Sequence, residues 1–421
     1  LNGYVFVILG MNAWGLRFPA TLAGVLSVAF AYRLTLDLKL PVWAAARVTL
    51  IVATLPILIA FSQEARFYNL LTMGVLFATV ALVKRKWGWL AVALILVVYT
   101  HNIGLMYAAV LLSAAFFGEL LRKPFKLTHL LRPIGVGMVV LLAWLPSALT
   151  FFQQTQRVYD FWFATPDLFS ALNAFNELTF DRRATSLLRV IIWVSPLALT
   201  AICGFTLLFI QPRRGIVLTV LVVFLVPFLT FWISIFWRPL FYARSYLPSG
   251  AGLALLWGVA INYQRAWRIV TLPILIVSLM IGLSAQYFPT FPKYTGDNVK
   301  SVILPEWREG DGLYFTRVFD AVLYSTSLDK PYRLRFDPNE GELSVSAKNA
   351  IGLQHANADE LPAIFKRVWV IEALDAFTTD EQRAYVFKLA RCGRPHTYFP
   401  PGFHGQAVQI WLVDWSAPGC S

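Results

Sequence analysis

Ala60-Phe61-Ser62-Gln63-Glu64-Ala65-Arg66-Phe67-Tyr68-Asn69-Leu70-Leu71 places a charged hinge, Gln63 to Tyr68, between two apolar stretches at 43–61 and 67–83. Crossing a bilayer takes about 20 mostly apolar residues, and each stretch is close to that length. The hinge therefore sets an acid and a base at a membrane surface. An apolar chain keeps such a pair at a cost unless something polar docks on it, so the hinge is the first candidate for a reaction site.

The rest of the sequence repeats this pattern. With 58% hydrophobic residues, only 14% charged and a positive mean hydropathy, the composition excludes an ordinary soluble enzyme and reads as a polytopic α-helical membrane protein. Ten spans are expected: 18–36, 43–61, 67–83, 87–100, 103–120, 134–152, 187–210, 215–236, 245–262 and 269–287. The segment Tyr4 to Met11 is too short to cross, and the chain opens on Leu1 rather than Met. The reading is that an N-terminal segment precedes it.

Charge is divided unevenly. Residues 1–287 hold 22 Lys and Arg against 7 Asp and Glu, while residues 288–421 hold 14 against 16. The basic excess thus belongs to membrane loops, which argues against nucleic acid as a partner. Alternate loops carry Arg33 and Lys39, Lys84-Arg85-Lys86, Arg122, Lys123, Lys126 and Arg132, Arg213-Arg214, and Arg265 and Arg268. The positive-inside rule makes that face cytoplasmic. The opposite face receives the hinge, Thr100-His101-Asn102, the loop 153–186, the segment 237–246 and everything after 288. Its basic residues before the tail are all Arg: Arg17, Arg66, Arg157, Arg182, Arg183, Arg189, Arg238 and Arg244. Arginine's planar fork suits phosphate and carboxylate, although positive-inside pressure against Lys explains the same bias.

The run Phe288-Pro289-Thr290-Phe291-Pro292 ends the last apolar stretch. It divides a transmembrane domain, 1–287, from an extracytoplasmic α/β domain, 288–421. Strands are expected at Gly312–Thr316, Tyr332–Phe336, Val368–Ile371 and Ala407–Val413, and helices at 317–327 and 380–391, the latter with Thr378 and Glu381 as a capping box. The tail holds neither a glycine-rich phosphate loop nor a nucleophile arrangement, so its expected role is packing or acceptor recognition. Cys203 falls in an expected span, whereas Cys392 and Cys420 would be able to pair in an oxidising compartment. No Cys-rich or His-rich metal spacing occurs, and a divalent cation is left as an open requirement.

Four constellations carry candidate chemistry. In the hinge, a helix starting near Ser62 would put Glu64 and Tyr68 on one face, with Arg66 free to meet another ligand group; the competing reading is a headgroup anchor. In Tyr99-Thr100-His101-Asn102, His101 would hydrogen-bond a sugar or phosphate, or simply satisfy its own turn. The run Trp237-Arg238-Pro239-Leu240-Phe241-Tyr242-Ala243-Arg244-Ser245-Tyr246-Leu247-Pro248 interleaves Arg238 and Arg244 with aromatics, a pattern for clamping phosphate beside a sugar or for an interfacial belt. The loop 153–186, with Tyr159, Asp160, Trp162, Asp167, Glu177, Asp181, Arg182 and Arg183, has the length and aromatic content of a lid or acceptor groove, whereas each of its acids taken singly reads as part of a solvated loop.

In this order, Leu16-Arg17-Phe18-Pro19-Ala20, Ser62 to Tyr68, Tyr99-Thr100-His101 and Phe241 to Pro248, followed by a soluble tail, resemble the family 39 membrane glycosyltransferases. That family has the GT-C fold and includes protein O-mannosyltransferases and lipid A aminoarabinose transferases. The resemblance implies transfer of a sugar from a polyprenyl-phosphate donor to a lipid, glycan or protein acceptor at the outer face of the cell's inner membrane. Glu64 and Arg66 match the family's acidic and basic hinge, with Tyr68 and Tyr242 beside the cavity. Arg244 and Tyr246 match its late Arg and Tyr pair, with Arg238 nearby, and His101 matches its polar turn. The family's catalytic carboxylate lies in the first outer loop, and residues 1–17 contain no Asp or Glu. The general base is therefore expected upstream of Leu1, with Glu64 in support.

Two other readings compete. A polymerase or ligase of lipid-linked glycans also uses outer-face arginines, though it usually places them in a large loop between late spans. A transporter or flippase would want polar residues near the bilayer midplane and an inverted repeat, and none is visible in this sequence.

Overall fold

The computed structural model describes residues 13–64, 66–124, 126–157, 165–180, 189–207, 224–237, 240–263, 268–287, 296–315, 332–334, 354–355, 361–374, 393–399 and 407–416. The chain divides at Phe288 and Pro289 into a helical unit and a smaller α/β unit.

The helical unit comprises α1 (Ala13–Asp37), α2 (Val42–Thr54), α3 (Pro56–Ser62), α4 (Tyr68–Val83), α5 (Trp87–Thr100), α6 (Gly104–Leu120), α7 (Thr128–Arg157), α8 (Leu168–Phe180), α9 (Arg189–Leu207), α10 (Val226–Phe236), α11 (Leu247–Tyr263) and α12 (Arg268–Tyr287). All ten expected apolar stretches hold helix among the described residues. Length tells a narrower story. Among the described residues, only α1 and α7 are individually long and apolar enough to cross a membrane, or three spans if the bent pair α2 and α3 counts as one.

The bend has a local cause. Leu55 precedes a proline, which pushes it out of helical geometry, and it sits at φ −68°, ψ 116°. Pro56 then starts α3, and the two helices meet at 57°. The expected span 43–61 is thus two pieces, the second of only seven residues. The expected loop 153–186 also differs. Helix α7 runs on to Arg157, and α8 occupies 168–180 with Ala174, Asn176, Glu177, Leu178 and Thr179 buried. Helix α8 packs against α3, α9, α11 and α12.

Two apolar cores hold this unit. One gathers α2, α3 and α11 around Val48, Leu55, Phe61, Leu247 and Trp257. The other gathers α4 to α7 around Leu71, Leu94, Tyr107 and Val136, and includes Tyr246. At the turn from α5 into α6, a Cβ on Gly104 would fall 2.1 Å from the Val97 carbonyl oxygen, so only glycine lets α6 fold back this closely.

Among the described residues the second unit holds a six-stranded sheet of order β3-β2-β1-β4-β6-β5, with β1 (Gly312–Phe315), β2 (Tyr332–Leu334), β3 (Gln354–His355), β4 (Arg367–Leu374), β5 (Gly393–Phe399) and β6 (Ala407–Asp414). Strands β1 to β4 are parallel neighbours, while β6 pairs antiparallel with both β4 and β5. The period-2 alternation of strands sends Leu313, Phe315, Trp369 and Ile371 to one core with α13 (Gly296–Ile303), and Tyr314, Val368 and Val370 to another with Leu361 of α14 (Leu361–Ile364). The four expected strands are present, to within three residues at their ends; β3 and β5 were not expected. Strand β5 hides because it holds Gly393 and Pro395 and carries an irregular register at His396, features that mark an edge strand. The helices expected at 317–327 and 380–391, with Thr378, Glu381, Cys392 and Cys420, lie outside the described residues.

Candidate functional site

Three segments far apart in sequence meet at one end of the helical unit: the hinge after α3, the turn after α5, and a 3₁₀ turn, Ala243–Tyr246, that leads into α11. In the hinge, Glu64 is buried, and its Oε2 lies 3.4 Å from Nε of the more exposed Arg66. The backbone tightens between them, with the Arg66 N–H donating to the Glu64 carbonyl at 2.8 Å. Tyr68, which opens α4, is buried against Phe61 with ring centroids 5.1 Å apart.

His101 joins this group from the second segment. Its ring centroid lies 5.2 Å from that of Phe67 and 5.8 Å from that of Tyr68. The Ile103 N–H donates to His101 Nδ1 at 3.1 Å, so the neutral ring carries its proton on Nε2. Burial disfavours the imidazolium and pulls the pKa down to about 4. At neutral pH His101 is therefore an uncharged hydrogen-bond donor.

The third segment supplies Arg244. Its guanidinium carbon stands 5.1 Å from the Tyr242 ring centroid and 5.9 Å from that of Phe61, inside cation–π range. Tyr68 lies within electrostatic reach of Arg66, Arg244, Tyr242 and Glu64 at once. Glu64, Arg66, Tyr68, His101, Tyr242 and Arg244 thus form one cluster.

Tyr246, the tyrosine of the late Arg and Tyr pair, closes the same 3₁₀ turn. It is fully buried. Its hydroxyl accepts the Tyr242 N–H at 3.3 Å and faces the Leu240 carbonyl at 3.5 Å. Tyr246 holds the loop that presents Tyr242 and Arg244. Arg238 lies outside the described residues. Within the expected loop, Asp167 caps the start of α8, its Oδ1 accepting from the Ser170 N–H at 2.7 Å.

Two contributions were not read from the sequence. Helix α8 packs on the 3₁₀ turn that carries Arg244, and Tyr107 of α6 shares a 3.0 Å hydrogen bond with Ser249 of α11. The sequence marks Glu177 of α8 as part of a loop rather than a helix, and carries no signal at Tyr107. Among the described residues no group of three or more His, Cys, Asp or Glu side chains is placed to hold a metal ion.

The arrangement offers two guanidinium groups, a neutral imidazole donor and a carboxylate, set among aromatic faces. Cations on aromatic walls suit a phosphate joined to a ring-shaped or lipid group. The fold has known relatives in structure. The chain is similar to ArnT from Cupriavidus metallidurans in the apo state, at 13% identity and a TM-score of 0.56, over 97% of this chain and 86% of that one. Against ArnT bound to undecaprenyl phosphate the figures are 12%, 0.55, 100% and 87%. The Archaeoglobus fulgidus oligosaccharyltransferase in the apo form matches at 9% and 0.45, over 85% and 58%. No protein-family model matches the sequence, and no curated protein matches it. The likeness to ArnT shows the fold to be that of the GT-C glycosyltransferases.

Proposed function

We propose that this chain is a membrane glycosyltransferase that moves a sugar from a polyprenyl-phosphate-linked donor to an acceptor at the outer membrane face. The observation that carries the reading is the convergence of Arg66, His101 and Arg244, from three separate segments, around Tyr68. The fold shared with ArnT, which has been solved with undecaprenyl phosphate, supports it.

In this reading Arg66 and Arg244 hold the phosphate that departs as the glycosidic bond breaks. Fixed positive groups aimed at developing negative charge lower the barrier without reorganising. His101 donates from Nε2 to a phosphate or sugar oxygen, and Tyr242 provides an aromatic wall. Displacement at the anomeric carbon also needs a carboxylate to take the acceptor's proton. Glu64, held against Arg66, orients that arginine and serves the base only in support. The α/β unit lies on the outer side and recognises the acceptor.

The reading is tested by reconstituting the full chain in lipid nanodiscs and measuring undecaprenyl phosphate binding by native mass spectrometry. Wild type is expected to bind, and the double variant Arg66→Ala/Arg244→Ala to lose at least about thirtyfold in affinity, two charge-assisted contacts being removed. Equal binding by both proteins would overturn it. So would substrate uptake into sealed vesicles with no glycosidic product.

A further inference from the structure

Helix α3 is too short to hold itself: an isolated helix needs roughly 12–15 residues to be even marginal in water, and α3 has seven. Its last carbonyls have no intrahelical donors. Side chains from three helices tie this end down. Ser62 Oγ donates to the Ile59 carbonyl at 2.7 Å. From α1, Thr21 Oγ1 reaches the Ser62 carbonyl at 2.7 Å, closer than its alternative acceptor, the Arg17 carbonyl, at 3.1 Å. From α4, Asn69 Nδ2 donates across the hinge to the Leu58 carbonyl at 3.2 Å.

Asn69 is fully buried, so this bond forms away from water. A buried amide is costly to leave unmade, which makes its geometry specific. Helix α1 comes close at the same point through Gly24. A Cβ there would stand 3.2 Å from Asn69 Nδ2 and 3.2 Å from Ser62 Cβ. The bonds from Thr21 and Asn69 bracket the hinge, one at its first residue's neighbour and one spanning it.

We infer that Thr21 and Asn69 are positioning residues: they latch α1, α3 and α4 together and so fix the direction in which the hinge presents Glu64 and Arg66 to a phosphate-bearing ligand. The inference rests on the glycosyltransferase reading for the ligand, but the latch itself is independent of it. Neither residue touches the ligand. Each acts through the hinge backbone, so its loss should move Arg66 rather than remove a contact.

The test uses the full chain in lipid nanodiscs with Asn69→Leu, which keeps volume and removes the donor, and with Thr21→Val and Thr21→Ser. Amide hydrogen exchange of hinge residues 63–67 is measured beside undecaprenyl phosphate binding. Asn69→Leu and Thr21→Val should each speed hinge exchange by about fivefold or more, the scale of one lost hydrogen bond. They should weaken binding by roughly tenfold, while Thr21→Ser, which keeps the hydroxyl, should match wild type. In an Arg66→Ala background the same substitutions should change binding by less than about twofold, because residues acting as a unit do not add. Unchanged hinge exchange in both Asn69→Leu and Thr21→Val would overturn the latch, and Thr21→Val decides the matter should Asn69→Leu fail to fold. Faster exchange with unchanged binding, or a full tenfold loss in the Arg66→Ala background, would overturn the positioning role. Absence of binding by wild type would remove the glycosyltransferase reading and the positioning role with it, while the exchange data still decide the latch.

Discussion

Helix α4 begins at Tyr68, beside the hinge, and ends at Val83, beside Lys84 and Arg85, so the two ends of one helix can be compared directly. At the far end Glu119 is buried and pairs with Arg85 at 3.0 Å and with Arg122 at 3.3 Å. Asp37 there pairs with Arg33 at 3.1 Å and with Lys84 at 3.3 Å. At the near end Glu64 meets Arg66 at 3.4 Å, and Arg244 lies against aromatic rings. The far end uses short ion pairs to tie loops to helix ends. The near end sets its charges among aromatic rings, with the Arg244 guanidinium over Tyr242 and Phe61.

The largest expected effect breaks that comparison at the near end. Arg244→Ala should lower sugar transfer by about a hundredfold or more, the usual scale for losing a group that stabilises developing charge. Its melting temperature should stay within a few degrees of wild type. Transfer within threefold of wild type would take Arg244 out of the site.

A paired substitution sharpens the comparison. Glu119→Gln leaves two arginines beside a neutral amide, and should destabilise the protein by roughly 1–3 kcal/mol. That is less than the loss of a fully buried pair, because Arg85 and Arg122 keep more than a third of their surface in solvent. Donor affinity should not change. Glu64→Gln should do the reverse, weakening donor binding by about tenfold with a smaller loss of stability. Thermal unfolding and lipid-phosphate binding on both variants decide it; the same profile from both would mean that the two acids have the same structural job.

The parts of the near end that were legible in the sequence were those where charge interrupts an apolar run. Glu64, Arg66, His101 and Arg244 stand out for that reason, and the cluster brings them together. What was not legible depends on packing. Asn176 and Glu177 look like solvated loop residues until α8 is seen inside the bundle. Pro56 breaks the stretch 43–61, yet hydropathy averages straight over it. Thr21 and Asn69 are single polar residues in apolar surroundings, and only the tertiary contact shows which carbonyls they serve. Tyr246 sits in the motif that carries Arg244, but its hydroxyl turns inward.

That inward hydroxyl gives a smaller expected effect. Tyr246→Phe keeps the ring in its core and deletes the hydroxyl that accepts the Tyr242 N–H and donates weakly to the Leu240 carbonyl. The cost should be about 1 kcal/mol of stability, with donor binding weakened by no more than a few fold. A hundredfold loss of binding at unchanged stability would return Tyr246 to the ligand itself.

The smallest effect concerns pH and separates His101 from the ion pairs. In the unfolded chain its pKa is near 6.5; burial lowers it to about 4 in the folded protein. Between those values the unfolded state takes up a proton that the folded state refuses, so His101 costs stability as pH falls from about 6.5 to about 4. Above about pH 7 it contributes no pH dependence. Wild type should therefore lose more melting temperature between pH 7 and pH 4.5 than His101→Gln, which keeps a hydrogen-bonding side chain and does not titrate. Across pH 7 to 8 the two should run parallel, and wild-type donor binding should show no inflection from this ring. If both proteins lose stability equally on acidification, the ring is as solvated as in the open chain. The near end would then have to bind its anion with a charge that switches on in mild acid, which the ring contacts with Phe67 and with the buried Tyr68 argue against.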